Sequence, residues 1–309
     1  MAHYDLIIVG GGPAGITAGI YAVRQKLNTL LVAKKFGGQM TRKAVAIENY
    51  PGFEKISGLE LSIKFEKHLR KQKIAIERDS VTKIKKVDSN FYITTASKHR
   101  FSSKAVIVAS GADPRPLEVS GEKEFIGRGV SYCTTCDAPM FAGKVVAVVG
   151  GGNAGLEAAI ALSNWAKKIY VLEYSSKVGA DEFNQELAKK SKKIQVITNA
   201  ALKKIEGGQF VSSIIYEDRK TDKEITLSLE GIFVEIGSVP ATSFVKDLVE
   251  FNEKDEIKVD SKTNMTKTPG LFVAGDVTDI EWKQIVVAAS EGSKAALSVS
   301  NYLQKINNI

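Results

Sequence analysis

The chain carries one strand–turn–helix signature twice, and this duplication limits the possible folds more than any other feature. Residues 5–15 read DLIIVGGGPAG and residues 144–155 read KVVAVVGGGNAG. Each is a short β-branched run, as a buried parallel strand requires, that breaks into glycines and continues as an alanine-rich helical pattern. ITAGIYAVRQ follows the first and LEAAIALSNWA the second, and each leads to another apolar run, LNTLLVA at 27–33 and KIYVLE at 168–173. A βαβ unit therefore recurs, with Gly10 and Gly150 lying 140 positions apart. The expected fold is α/β, with two Rossmann-like dinucleotide-binding domains. A length of 309 residues suits two domains of about 150 residues each.

The segments between the repeats suggest that one domain is inserted into the other. Residues 59–77 read as an amphipathic helix leading to a strand, and 79–102 as a meander of short strands. KAVIVASGADPRP at 104–116 is a buried strand that ends in a turn, where Pro114 and Pro116 mark a linker. A similar meander spans 194–236 and ends in LEGIFVEIGSVP, punctuated by Pro240. The remaining chain holds TPGLFVAGDVTD at 268–279 and a final amphipathic helix at 284–305.

Glycine spacing gives the first chemistry. In Gly10-x-Gly12-x-x-Gly15, the first glycine makes the tight turn, the second admits a pyrophosphate to the backbone, and the third packs helix on strand. A diphosphate would rest on the helix N-terminus, where N–H groups and the dipole favour anions. At the end of the next strand, where an acid would meet a ribose, this copy has Ala33-Lys34-Lys35. The second copy, Gly150-x-Gly152-x-x-Gly155, does have the acid. Glu173 lies 23 residues after Gly150, spaced to accept hydrogen bonds from a ribose diol. Tyr174-Ser175-Ser176-Lys177 follows, with no arginine for a 2′-phosphate. NADH is therefore favoured over NADPH, unless Glu173 only caps a strand end.

The two cysteines form one pair, Cys133-Thr134-Thr135-Cys136, followed by Asp137. A structural zinc site needs four ligands, and the three histidines, His3, His68 and His99, are distant in sequence, so no metal is expected. The spacing suits a redox pair, in which a small ring opens and closes reversibly. Asp137 is either a proton donor and acceptor for the departing thiolate or an N-cap for the segment after it. Two cysteines in a long chain point to a reducing compartment. With no secretory leader pattern and no apolar run of about 18 residues, the expected location is the cytoplasm, away from membranes. The net charge of +8 gathers in runs such as Lys189-Lys190 and Lys192-Lys193. A solvated basic surface accounts for it, an acidic protein partner is the functional alternative, and no motif supports nucleic-acid binding.

Together these residues resemble the low-molecular-weight thioredoxin reductases. The likeness covers essentially the whole chain through GGGPAG at 10–15, FGGQM at 36–40, IENYPG at 47–52, VASGA at 108–112, CTTCD at 133–137, GGGNAG at 150–155, AGDVTD at 274–279 and WKQIVVAASEG at 282–292. Among flavoproteins with two dinucleotide domains, a cysteine pair just ahead of the second glycine loop is specific to this group. The stretches LVAKKFGGQ and VLEYSSKVGADEF look closer to the flavoprotein subunit of alkyl hydroperoxide reductase, which is typically NADH-linked. That subunit carries an extra N-terminal thioredoxin-like region with no counterpart here, so the expected partner is a separate protein.

The resemblance implies FAD on Gly10, Gly12, Pro13, Ala14, Gly15, Gly37, Gly38, Gln39, Asn49, Gly275, Asp276, Gln284 and Ile285. The second glycine loop and its acid are expected to hold the nicotinamide cofactor on Gly150, Gly152, Asn153, Ala154, Gly155 and Glu173. Cys133 and Cys136 would form the redox-active disulfide, with Asp137 as the active-site acid. An FAD domain would span 1–115 and 243–309, and an NAD(P)H domain 116–242. The implied activity passes electrons from NAD(P)H through FAD and the disulfide to a thioredoxin-like redoxin or a peroxiredoxin-system protein, in a homodimer. Two features depart from the family: Glu173-Tyr174-Ser175-Ser176 replaces its basic residues for NADPH, and Ala138 stands where glycine is usual. Rival readings are a dithiol oxidase or ferredoxin-linked reductase of the same fold, and a flavin-binding redox sensor.

Overall fold

A computed structural model describes residues 1–43, 47 and 49–307, and the side chains of Arg42, Lys43, Thr135, Cys136 and Asn307 lie outside the described set. The chain divides into two compact units, Met1–Asp113 with Val239–Ile309, and Pro114–Ser238.

In the first unit, parallel strands run in the order Ala75–Glu77, Thr29–Val32, Ala2–Val9, Arg100–Val108. The last of these pairs through its C-terminal half with the parallel strand Leu271–Val273. Its N-terminal half pairs with the antiparallel strand Asn90–Thr95, which in turn pairs with Val81–Val87. The run DLIIV shows no alternation because both faces of its strand are covered. Leu6 and Ile8 pack with Ala14, Ile16 and Ala18 of the helix Pro13–Arg24 and with Ala295, Ala296 and Val299 of the helix Ile285–Asn307. Ile7 and Val9 face the opposite side, with Val106, Val108 and Val245. A central parallel strand must be apolar in both phases, and this one is. The helix Gly58–Lys71 starts at a capping box: the Ser57 hydroxyl accepts the Glu60 N–H, and the Glu60 carboxylate accepts the Ser57 N–H.

The meander in this unit is pinned by one carboxylate. Asp79 accepts the Ser80 N–H at 2.7 Å and the Ser97 N–H at 3.0 Å. A hydrogen bond from Thr95, followed by the one from Ser97, holds its carboxyl below the usual range. A depressed acid stabilises the fold above its ordinary pKa, and this contribution is lost as pH falls through the folded value. Asp79→Asn is therefore expected to lower the melting temperature at pH 7. The gap between variant and parent should narrow below about pH 4, which parallel thermal melts would read.

The second unit repeats the plan. Its parallel strands run Ile194–Thr198, Lys168–Glu173, Val145–Val149, Gly231–Val234, Val130–Ser131. Val146 and Val148 pack on Leu156 and Leu162 of the helix Asn153–Leu162. Ala147 and Val149 face Ile205, Val211 and Ile214 of an antiparallel sheet made of Ala200–Gly207, Val211–Asp218 and Lys223–Ser228. The meander expected over 194–236 is thus shorter, because its first and last strands belong to the parallel sheet. Among the described residues, no helix is long and apolar enough to cross a membrane.

Candidate active site

The two glycine loops are built alike, each from its own steric constraints. Gly10 has φ +123°, and a Cβ there would lie 2.1 Å from the Ala109 carbonyl oxygen. Gly150 has φ +116°, with a Cβ 2.3 Å from the Glu235 carbonyl oxygen. A Cβ on Gly15 or Gly155 would come within 1.9 Å of the carbonyl oxygen of Gly10 or Gly150 in turn. A side chain at Gly15 or Gly155 would push the helix off the strand, and one at Gly10 or Gly150 would push the turn off the end of the neighbouring strand. Gly12 and Gly152 differ, because a Cβ on either meets nothing within 4 Å. Each is the N-cap of its helix, without a side-chain cap. The result is an open, uncapped helix N-terminus in both units, suited to a diphosphate.

Among the remaining expected FAD residues of the first unit, Gly37, Gly38 and Gly275 lie against that loop and its helix start, and four others meet in pairs. The Gly37 N–H donates to the Gly11 carbonyl at 2.8 Å, and a Cβ on Gly38 would stand 3.4 Å from Gly12 Cα. Gln39 Nε2 donates to Asp276 Oδ2 at 2.9 Å, and Asn49 Nδ2 to Gln284 Oε1 at 3.2 Å. Ile285 packs on the apolar group of Met40, Ile47, Ile56 and Leu61. Gly275 comes so close to Ala14 that a Cβ would lie 3.0 Å from the alanine methyl. What positions Gly275 is Glu291, which the sequence did not single out. This carboxylate is 4% exposed and accepts the Gly275 N–H at 2.9 Å, the Thr278 hydroxyl at 3.1 Å and the Asn264 amide at 3.0 Å.

In the second unit Glu173 does more than end a strand. Its Oε2 accepts the Gly151 N–H and its Oε1 the Ser175 N–H, both at 2.7 Å. Each oxygen keeps lone-pair capacity for a ribose hydroxyl. Asn153 Oδ1 accepts the Asp181 N–H at 2.8 Å, and the Gly179 and Ala180 N–H groups donate to the Gly151 carbonyl. The loop after Glu173 therefore folds back on the glycine turn.

Three carboxylates and three hydroxyls bracket the cysteine segment. Asp137 ends the short helix Thr134–Asp137, and its side chain makes no cap to Ala138–Phe141. Instead it accepts the Ser131 hydroxyl at 2.6 Å, and the same oxygen of Ser131 accepts the Cys133 N–H at 3.0 Å. Asp137 thus occupies the N-cap position of Ala138–Phe141 by backbone alone, and its carboxylate is turned to Ser131. On one side of Cys133, the Tyr132 hydroxyl donates to the buried Glu122, which also takes the Leu117 and Glu118 N–H groups. Burial first, then Glu122, pushes the Tyr132 hydroxyl well above its ordinary pKa, so it stays protonated as the donor. On the other side, buried Thr134 donates to Glu235 at 3.4 Å, and the Glu235 backbone is the one facing Gly150. Glu235 thus ties the cysteine helix to the second glycine loop. The expected Cys133–Cys136 pairing involves a side chain outside the described residues. Glu77, Asp79 and His99 bring potential ligand atoms within 4.8 Å of one another, but the Asp79 oxygens already serve the meander.

A family model described as pyridine nucleotide-disulphide oxidoreductase matches residues 4–292. The chain belongs to that family. Its backbone superposes on the thioredoxin reductase of Lactococcus lactis with a TM-score of 0.93 at 35% identity, covering 98% of this chain and 99% of the other. Against the thioredoxin reductase of T. acidophilum the TM-score is 0.91 at 38% identity, covering 99% and 100%. The flavoprotein subunit of alkyl hydroperoxide reductase from Staphylococcus aureus is 41% identical over 301 residues, which are 97% of this chain but 59% of that protein. The fold is the two-Rossmann-domain fold of thioredoxin reductase. Family membership implies FAD and a nicotinamide cofactor. The residues present fit both groups, with two open glycine cradles on uncapped helices and a ribose-type acid at the second.

Proposed function

We propose that this chain is a disulfide reductase that takes electrons from a nicotinamide cofactor, preferring NADH, and delivers them to a thioredoxin-like or peroxiredoxin-system protein. The observation that carries this reading is the cysteine segment, tied through Thr134 and Glu235 to the second glycine loop, with Asp137 held beside Cys133. Bound FAD supplies hydride acceptance from reduced nicotinamide and two-electron delivery to a disulfide. The first unit would hold it through Gly10, Gly12, Pro13, Ala14, Gly15, Gly37, Gly38, Gln39, Asn49, Gly275, Asp276, Gln284 and Ile285. The second would hold the nicotinamide cofactor through Gly150, Gly152, Asn153, Ala154, Gly155 and Glu173.

Cys133 and Cys136 are read as a disulfide that two electrons and two protons open to a dithiol. One thiolate then attacks the partner's disulfide, forming a mixed S–S bond and expelling one partner thiolate. The second cysteine displaces the partner's other sulfur, re-forming the ring and leaving the partner as a dithiol. Asp137 is assigned the proton exchanged with the leaving thiolate, a role supported by its bond to Ser131. The family likeness supports a homodimer, and the cysteine pair a cytoplasmic setting.

Anaerobic titration of the flavin-loaded protein with NADH and NADPH separately, followed by flavin absorbance, tests the reading. Bleaching by NADH at far lower concentration than by NADPH is expected. The reverse preference would overturn Glu173 as selector. Bleaching by neither would replace the reading with a dithiol oxidase or a ferredoxin-linked reductase.

A further inference from the structure

The charged environment beyond Glu173 is not purely acidic. The turn that joins Val211–Asp218 to Lys223–Ser228 brings Arg219 over Tyr174, the residue after the acid. The guanidinium carbon stands 3.9 Å from the ring centroid, and Nη1 donates to the Tyr174 carbonyl at 3.0 Å. Two backbone bonds fix the turn in place: Asn199 N–H to Ser175 O at 2.9 Å, and Arg219 N–H to Asn199 O at 2.8 Å. Both side chains of the stack are exposed, with Tyr174 at 59%. The stacked pair thus stands open beside a carboxylate held on the glycine turn. The nearby Lys203 is spent on Glu217 at 2.7 Å.

We propose that Arg219 is a second specificity-determining residue at the adenosine end of the nicotinamide cofactor, a role that rests on the proposed function above. Glu173 accepts the 2′- and 3′-hydroxyls of the ribose and repels a phosphate at the 2′ position. Arg219 offers a flat cationic face to adenine and N–H donors in a fork that fits phosphate oxygens. A carboxylate and a guanidinium anchored one residue apart make a site of mixed charge. Such a site takes the diol through the acid, which sets the preference for NADH, while the arginine limits how far the 2′-phosphate is rejected, so NADPH is disfavoured without being excluded. The sequence hid this because the arginine lies 46 positions after the acid and arrives from another sheet.

Calorimetric titration of the flavin-loaded protein with 5′-AMP and with 2′,5′-ADP tests the proposal without turnover, because these probes carry only the adenosine end. Arg219→Met is expected to weaken 2′,5′-ADP by about tenfold or more, and 5′-AMP by about threefold at most. Glu173→Gln should tighten 2′,5′-ADP, and adding Arg219→Met should remove that gain. Unchanged 2′,5′-ADP affinity in Arg219→Met, or equal weakening of both probes with an unchanged thermal melt, would overturn Arg219 as a selector. If the parent protein binds neither probe, the assignment of the second unit to a nicotinamide cofactor falls as well, which separates that failure from the failure of Arg219 alone.

Discussion

Cys133→Ser is expected to lower reduction of a redoxin disulfide by about a thousandfold or more, while NADH still bleaches the bound flavin. A serine hydroxyl forms no disulfide with Cys136 and is not ionised at neutral pH, so both storage of the electron pair and attack on the partner are lost. The residue's surroundings should survive the change. The Cys133 N–H still has Ser131, Tyr132 still has Glu122, and Thr134 still has Glu235. The two halves of the reaction can therefore be read separately, by stopped-flow absorbance for the flavin and by thiol release for the partner. Retained thiol release in the variant would remove the cysteine pair from the electron path.

Glu291→Ala is the second large effect, and it acts on stability. The carboxylate is buried and serves three donors, the Gly275 N–H, the Thr278 hydroxyl and the Asn264 amide. Each donor stranded away from water costs about 1–3 kcal/mol, so the three together cost about 3–9 kcal/mol, with solvent entry holding the loss towards the lower end. Glu291→Gln keeps the volume but turns an amide N–H towards donors, and should fall in between. Urea unfolding measures the cost, and the ratio of flavin to protein absorbance reports whether FAD binding, assigned in part to the Gly275 turn in the proposal above, survives. A variant as stable as the parent would show that the network is dispensable.

What the sequence made legible was local. The glycine loops could be read because a Cβ at Gly15 or Gly155 collides with backbone five residues earlier, a constraint contained within one turn. Glu173 was readable for the same reason, since strand length fixes its distance from Gly150. The helix expected at 284–305 is Ile285–Asn307, because its apolar stripe meets the helix Pro13–Arg24 along its length. The pairings that support the site escaped, even where the residues themselves were expected, as Gln39 and Asp276 were. Glu235 meets Thr134 from 101 positions away, and Gln39 meets Asp276 from 237. Glu291 sits only 16 residues from Gly275, but its helix runs back against the sheet, and no spacing rule marks a carboxylate that turns inward. Such pairings are set by tertiary packing and leave no periodic trace.

Glu173 holds the Gly151 and Ser175 N–H groups, and this has a consequence for redesign. If this residue selects the cofactor as proposed, it also fastens its own loop, and it cannot be exchanged for one purpose alone. Replacing it with a basic side chain to invite NADPH would remove the repelling charge and strand two backbone donors in the same step. A switch of preference is therefore more accessible from the rim, by adding cations around Arg219, than from the acid itself.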